Sequence, residues 1–191
     1  KTSALAAFGQ SIAARLSPDE AQITIIDPKT TLIGRIRGPQ VRAYAYTPDD
    51  IDQVLDGLAA VMRDRLPPAG LSQEELLART SWRGPHHFLR PNGVLGKQAA
   101  TAPLWGLIER SREIGLHVIA TRLPGNWAGV SAMSPFLQKL TGSRASTLFM
   151  DNDAQTVKVF GRVSAQQLPP GRGVLVTTDG AMEGVLVATP E

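Results

Sequence analysis

The 191-residue sequence contains no cysteine. That excludes disulfides, thiolate zinc sites and cysteine nucleophiles together, and it suits a reducing compartment. Imidazole chemistry is limited to three residues, His86, His87 and His117. Long apolar runs are also missing, the longest being about six to eight residues against the roughly 20 needed to span a bilayer. No charged, then apolar, then small-residue leader opens the chain, so the expectation is a soluble piece. Nor is charge concentrated. Twenty Lys plus Arg against 17 Asp plus Glu leave a formal +3, and the scattered basic residues form no stripe of the kind that makes nucleic acid an expected partner. There is no internal repeat and no low-complexity segment. With 42% hydrophobic and 19% charged residues, residues 1–191 read as one domain large enough to bury a core.

Hydrophobic periodicity organises the chain. Leu5, Phe8, Ile12 and Leu16 recur at helical spacing from Lys1 onward. Ile23 to Ile26, short and bounded by Asp27-Pro28, reads as a buried strand. The stretch from Leu32 to Tyr46 predicts a short helix and then a strand around Val41 to Ala45. Thr47-Pro48-Asp49-Asp50 is a helix start, with Thr as N-cap and Pro at the first helical position. Ser72 and Glu75 have the spacing of a capping box. A short strand is expected at His86 to Leu89, a long helix from Ala102 to Ile114 and a strand from Leu116 to Thr121. A further helix is expected over Ser131 to Leu140, with strands at Ser146 to Met150, Val174 to Thr178 and Val185 to Ala188, the last two joined by a turn at Asp179-Gly180. Strands alternating with helices predict an α/β domain with a mainly parallel sheet flanked by helices and an antiparallel C-terminal edge.

Three places offer chemistry. Lys1-Thr2 heading a helix is the tail of a phosphate-binding loop, in which unpaired amides and the positive helix end receive phosphate oxygens. Alone, the pair is better explained by an ordinary helix start. Asp27 closes a strand, and ligands of open α/β sheets bind at the carboxyl ends of strands; a strand cap is the plainer alternative. Thr121 and Arg122 follow a strand in the same way, where a γ-phosphate sensor would sit.

In this order, Lys1-Thr2, Ile25-Ile26-Asp27-Pro28-Lys29, Leu116 to Pro124, Phe160-Gly161 and Leu168-Pro169-Pro170-Gly171-Arg172-Gly173 resemble the FtsK/SpoIIIE class of P-loop ATPases. The similarity covers almost the whole chain. It is greatest to the third, C-terminal ATPase domain of the EccC motor family of actinobacterial type VII secretion (ESX) systems. The resemblance implies a RecA/FtsK-like P-loop NTPase fold and ATP with Mg²⁺ as cofactors. It implies that Lys1, Thr2 and Ser3 hold phosphate and that Thr2 ligates the metal. Asp27 would lie at the nucleotide edge, Thr121 and Arg122 would act as sensor residues, and Pro170, Gly171, Arg172 and Gly173 would lie against the base. Implied partners are other ATPase domains of the same motor, secreted helical substrates of the ESX type and, through the parent protein, a membrane secretion complex. The implied place is the cytoplasm, tethered to the inner membrane.

Two departures bear on turnover. No glycine-rich turn precedes Lys1, and no acidic pair follows the strand at His86 to Leu89. The expectation is that the 191 residues are a fraction of a parent protein. Either that protein carries the acid beside position 89 in further residues, or the domain binds nucleotide with weak or regulatory hydrolysis. Two other readings stay open: a nucleotide-independent docking module for exported substrates on a degenerate P-loop scaffold, and a DNA translocase.

Other features have plainer readings. His86 and His87, adjacent on a strand, point to opposite faces and cannot chelate one ion. Asp151-Asn152-Asp153 lacks the glycine and glutamate of a calcium loop, and Gly96-Lys97 lacks the rest of a phosphate loop. Trp105 belongs to a helix face with Leu104 and Ile108, while Trp127, in a Gly-Asn loop, is a candidate anchor for another chain.

Overall fold

The computed structural model describes residues 2–78, 84–91, 101–121, 135–142, 146–150 and 168–187. Helix α1 (Thr2–Arg15) leads into strand β1 (Ala21–Ile26), followed by β2 (Val41–Ala45), α2 (Pro48–Asp64), α3 (Gln73–Ala78) and β3 (His86–Pro91). A 3₁₀ turn at Ala102–Leu104 precedes α4 (Trp105–Ile108), α5 (Ser111–Ile114), β4 (Leu116–Val118) and α6 (Pro135–Gly142). The chain then forms β5 (Thr147–Met150), β6 (Arg172–Val176) and β7 (Met182–Leu186).

Strands β2, β1, β3 and β4 lie side by side in that order, and every pair is parallel. Nearly all of β1 is buried, as a strand covered on both faces must be. Period two then divides its side chains. Ile23 and Ile25 pack with Leu5 and Ala6 of α1, joined by Phe88 and Ile119. Ile26 and Leu89 face the other way, into a core built from Ile51, Leu55, Leu58 and Met62 of α2 with Leu104, Ile114 and Phe136. Two helical layers therefore sandwich the sheet.

α1 crosses its face from the carboxyl edge to the amino edge. Near its start the Arg90 guanidinium, from the carboxyl end of β3, donates to the Leu5 carbonyl. Near its end the Gln40 amide donates to the carbonyls of Ala13 and Leu16. On the opposite layer, Arg65 after α2 donates through one Nη1 to the carbonyls of Pro85 and Ile114, both 3.0 Å away, just before β3 and β4 begin.

The expected caps form. Thr47 Oγ1 accepts from the Asp50 amide at 3.3 Å, and Ser72 and Glu75 cap each other at 2.7 and 3.2 Å. Elsewhere the chain departs from expectation. No helix follows Leu32, because the Asp27 carboxylate takes the Leu32 amide at 2.6 Å and residues 31–36 run as turns. The expected long helix from Ala102 to Ile114 is three short pieces: Pro103 starts it as a 3₁₀ turn, and Arg110 leaves helical geometry at φ −107°, ψ 14°. β3 extends two residues beyond Leu89, with Arg90 and Pro91 paired to Ile25 and Ile26.

The C-terminal strands form an antiparallel sheet of their own, ordered β5-β6-β7. β6 and β7 begin two and three residues earlier than the hydrophobic runs indicate. The turn between them is closed by the Thr177 amide on the Ala181 carbonyl at 3.0 Å and by Asp179, whose carboxylate accepts from the Ala181 amide at 3.2 Å. The first four expected residues of the Ser131 to Leu140 helix lie outside the described residues, as do Gly96-Lys97, Trp127, Asp151 to Asp153 and Phe160-Gly161.

Candidate functional site

The carboxyl edge of the parallel sheet gathers the first turn of α1, Asp27 after β1, Arg90 and Pro91 at the end of β3, and Thr121 three residues beyond β4. Thr2 and Ser3 begin α1, both half-buried. The first amides of a helix lack partners within it, and this first turn contains no acid. A positive helix end of this kind suits an anion. That donor set, two hydroxyls on unpaired amides, fits phosphate. Lys1 and Arg122 lie outside the described residues; Thr121 is half-buried.

Asp27 is fully buried and committed to the fold. Oδ2 accepts from the Leu32 amide and, at 2.8 Å, from the Tyr44 hydroxyl, while Oδ1 accepts from Thr31 Oγ1 at 3.3 Å. Its own amide donates to Ala45 and its carbonyl receives the Thr30 amide, each at 2.9 Å. Thr30 adopts φ 53°, a left-handed conformation unusual for a residue other than glycine, so this turn is held under local strain. Burial raises the Tyr44 pKa, and the hydrogen bond and negative charge of Asp27 raise it further, so the hydroxyl stays a donor.

Sequence reasoning missed Arg90. It reads as the polar end of a short strand, yet it is 0% exposed, on the same face of β3 as Phe88 and against α1. Its Nε and Nη1 have no hydrogen-bond partner among the described residues. Burial lowers its pKa to about 10. The signal available was the alternation Phe88, Arg90, which assigns it to the α1 face once the strand is extended. Tyr44 was missed too, since nothing local connects it to a carboxylate 17 positions earlier.

Arg172 and Gly173 open β6 of the antiparallel sheet, and Pro170 and Gly171 form the turn that leads into it. Gly171 adopts φ 79°, the left-handed region, and its carbonyl accepts from Val187 at 2.7 Å. Gly173 is buried opposite Met150; a Cβ there would stand 2.9 Å from the Phe149 carbonyl and 2.7 Å from Leu148 Cδ1. Both glycines are thus required by the backbone, and Arg172 between them is exposed.

The chain is 37% identical over 166 residues to the ESX-5 secretion system protein EccC5 of Mycobacterium marinum. A solved structure named as an ATPase is 30% identical, with a TM-score of 0.84 over all of this chain and 75% of that one. The cytoplasmic domain of the Thermomonospora curvata type VII secretion ATPase EccC matches with a TM-score of 0.87 at 27% identity, over all of this chain and 22% of that one. The chain belongs to the EccC family of ATPases. No family model matches it.

The EccC5 alignment takes in 83% of this chain but 12% of that protein, so the chain spans about an eighth of the curated relative's length. A second solved T. curvata EccC structure, of ATPases 2 and 3 in complex with a signal sequence peptide, has a TM-score of 0.85 at 26% identity over all of this chain and 35% of that one. The EccC resemblance seen in the sequence and the α/β P-loop fold class both hold, with the antiparallel strands as a separate sheet. In this EccC-family chain the edge that carries Thr2, Ser3 and Thr121 has a buried cation at the end of β3, and the carboxylate that follows β1, Asp27, is engaged by the turn it closes.

Proposed function

We propose that residues 1–191 are one ATP-binding domain of a type VII secretion motor, coupling nucleotide state and domain assembly to the export of secreted proteins. What supports this most directly is the course of α1, which starts at the carboxyl edge with Thr2 and Ser3 on an acid-free first turn and runs back over β1. In this reading the first-turn amides and Lys1 hold the β and γ phosphates. The Thr2 hydroxyl would be one ligand of Mg²⁺, and Ser3 would add a donor beside it. When bound, Mg²⁺ supplies charge neutralisation at the β- and γ-phosphate oxygens. In this reading Thr121 and Arg122, which follow β4 in the sequence, would be the residues that sense the γ-phosphate.

Hydrolysis by the isolated chain is weak or regulatory in this account, because the end of β3 holds a guanidinium instead of a carboxylate. Neighbouring ATPase domains, secreted helical substrates and a membrane complex are the proposed partners, and the cytoplasm, tethered to the inner membrane through the parent protein, the proposed place. The T. curvata structures support this, one being a cytoplasmic domain and one a complex with a signal sequence peptide. No helix among the described residues is long and apolar enough to cross a membrane.

Arg90 also favours a second reading, a docking module that does not use nucleotide. Calorimetry separates the two. Mg-ATP is expected to bind the intact chain and to bind Lys1→Ala at least about tenfold more weakly, a loss of about 1.4 kcal/mol or more. Equal and negligible binding in both overturns the nucleotide site and leaves the docking module.

A further inference from the structure

Charge is divided between the two faces of the parallel sheet. Helix α1 and the segment 28–40 that packs on it carry Arg15, Lys29, Arg35 and Arg37 and no acidic side chain. The segment is seated on that face by Leu32 and Ile36, which join Leu5 and Ala6 in the core, and by the Gln10 side-chain amide, which donates to the Arg35 carbonyl at 3.1 Å. All four cations are exposed. So is Ile33, at 65%, turned outward between two buried neighbours that hold the turn in place.

Helix α2, on the other face, is the reverse. Asp49, Asp52, Asp56, Ala60 and Asp64 recur at helical spacing on the side away from Ile51, Leu55, Leu58 and Met62, which fill the core. Each of the five is exposed, and the stripe runs about 22 Å along the helix axis. Beside it stand Gly57 and Val61, the latter 44% exposed. A glycine in mid-helix costs stability relative to alanine. A Cβ at Gly57 would meet nothing within 4 Å, so packing inside this chain does not require it. Among the described residues, neither the four cations nor these aspartates take part in an ion pair.

We propose that these two surfaces are the halves of one contact between copies of this chain. The segment 28–40 of one copy lies on the outer face of α2 of the next, with Ile33 on the patch from Gly57 to Val61 and Lys29, Arg35 and Arg37 among the aspartates. Within one molecule the sheet stands between the surfaces, so they cannot meet. Each surface complements the other and not itself, because a two-fold axis through either would set like charges face to face. The contact is therefore head-to-tail, and a pair of copies keeps one surface of each kind open for further copies. An apolar centre ringed by charge is the usual anatomy of a protein contact, and opposite charges speed the encounter and exclude the wrong pairings. Nucleotide has no part in it, so it stands or falls separately from the site at the carboxyl edge.

Sedimentation velocity of the whole chain without nucleotide tests this. Association with a Kd of about 100 µM or tighter is expected in about 50 mM salt, weakened at least about tenfold in about 500 mM salt. Arg35→Glu/Arg37→Glu and Asp52→Lys/Asp56→Lys are each expected to be monomeric alone, with unchanged circular dichroism. Mixed together they are expected to associate, since each keeps the surface the other has lost. Ile33→Ser, which alters no charge, is expected to weaken association about tenfold or more. A chain that stays monomeric at about 200 µM in the low-salt buffer overturns the contact, as does a mixture of the two reversed variants that remains monomeric. A monomeric chain that instead floats with phosphatidylglycerol vesicles overturns it too, and assigns the basic segment to a membrane surface.

Discussion

His87 carries the clearest pH consequence at the scale of a single residue. It is buried on the α2 side of β3, and burial, then the charges of Arg65 and Arg42, lower its pKa from 6.5 to about 4. The neutral ring is therefore the native form. A histidine whose folded pKa is lowered leaves stability intact above the unfolded value and removes it as pH falls, because the unfolded chain takes up the proton first. The loss is confined to the window from about pH 6.5 down to about pH 4 and amounts to at most about 3 kcal/mol. Urea denaturation at pH 7.5 and pH 4.5 is expected to show that decrease in the native chain and a visibly smaller one in His87→Gln. Equal decreases in both would remove His87 as the cause.

At the scale of elements, the turn after β1 depends on Asp27. Its carboxylate joins the Leu32 amide, the Thr31 hydroxyl and the Tyr44 hydroxyl, and so fixes residues 28–32 and fastens β2 to β1. Asp27→Ala strands a buried amide and a half-buried phenol, a cost of about 2–4 kcal/mol. Tyr44→Phe removes only one partner and is expected to cost about 1 kcal/mol. Chemical denaturation checks both; an Asp27→Ala chain as stable as the native one would show that the carboxylate does not hold the turn.

Elements governed by neighbours in sequence were legible in advance. Thr47 and Ser72 cap helices through bonds to residues three positions on, and β2 spans Val41 to Ala45 as its pattern indicates. What escaped depends on distant partners. Asp27 was recognised as a residue at a strand end, but its commitment to Tyr44 is visible only once β1 and β2 are paired. The helix expected over Ala102 to Ile114 has the right apolar spacing, and Leu104, Leu107, Ile108 and Ile114 are indeed buried. Only its continuity fails, at Pro103 and Arg110. Trp105 is half-buried against that core and donates to Thr101 Oγ1 at 3.2 Å, in line with its expected packing role. Of the candidate site, the helix start, Thr121 and the glycines of 170–173 were marked by local sequence, whereas Arg90 was hidden by a strand judged too short.

For the whole molecule, the proposed nucleotide reading makes the distribution of charge along the carboxyl edge the limit on unaided turnover. β3 ends in Arg90-Pro91 and β4 continues into Ile119, Ala120 and Thr121, so neither strand presents a carboxylate to activate water. Turnover by the isolated chain is expected at about 10⁻² s⁻¹ or slower. If neighbouring ATPase domains complete the site, as proposed, a large increase is expected in their presence. A steady-state phosphate-release assay decides it: turnover near about 1 s⁻¹ from the isolated chain would show that no outside group is required. The two edges of the parallel sheet also differ in how they are fastened. Gln40 secures the tail of α1, and Arg65 joins the end of α2 to the approaches of β3 and β4, all at the amino edge. The carboxyl edge has fastenings of its own, Arg90 to the Leu5 carbonyl and Asp27 to Leu32 and Tyr44, so both rims of the sheet are pinned. A phosphate bound beside Thr2, as proposed, would therefore meet an edge already braced from beneath, and its arrival is expected to leave the course of the strands unchanged.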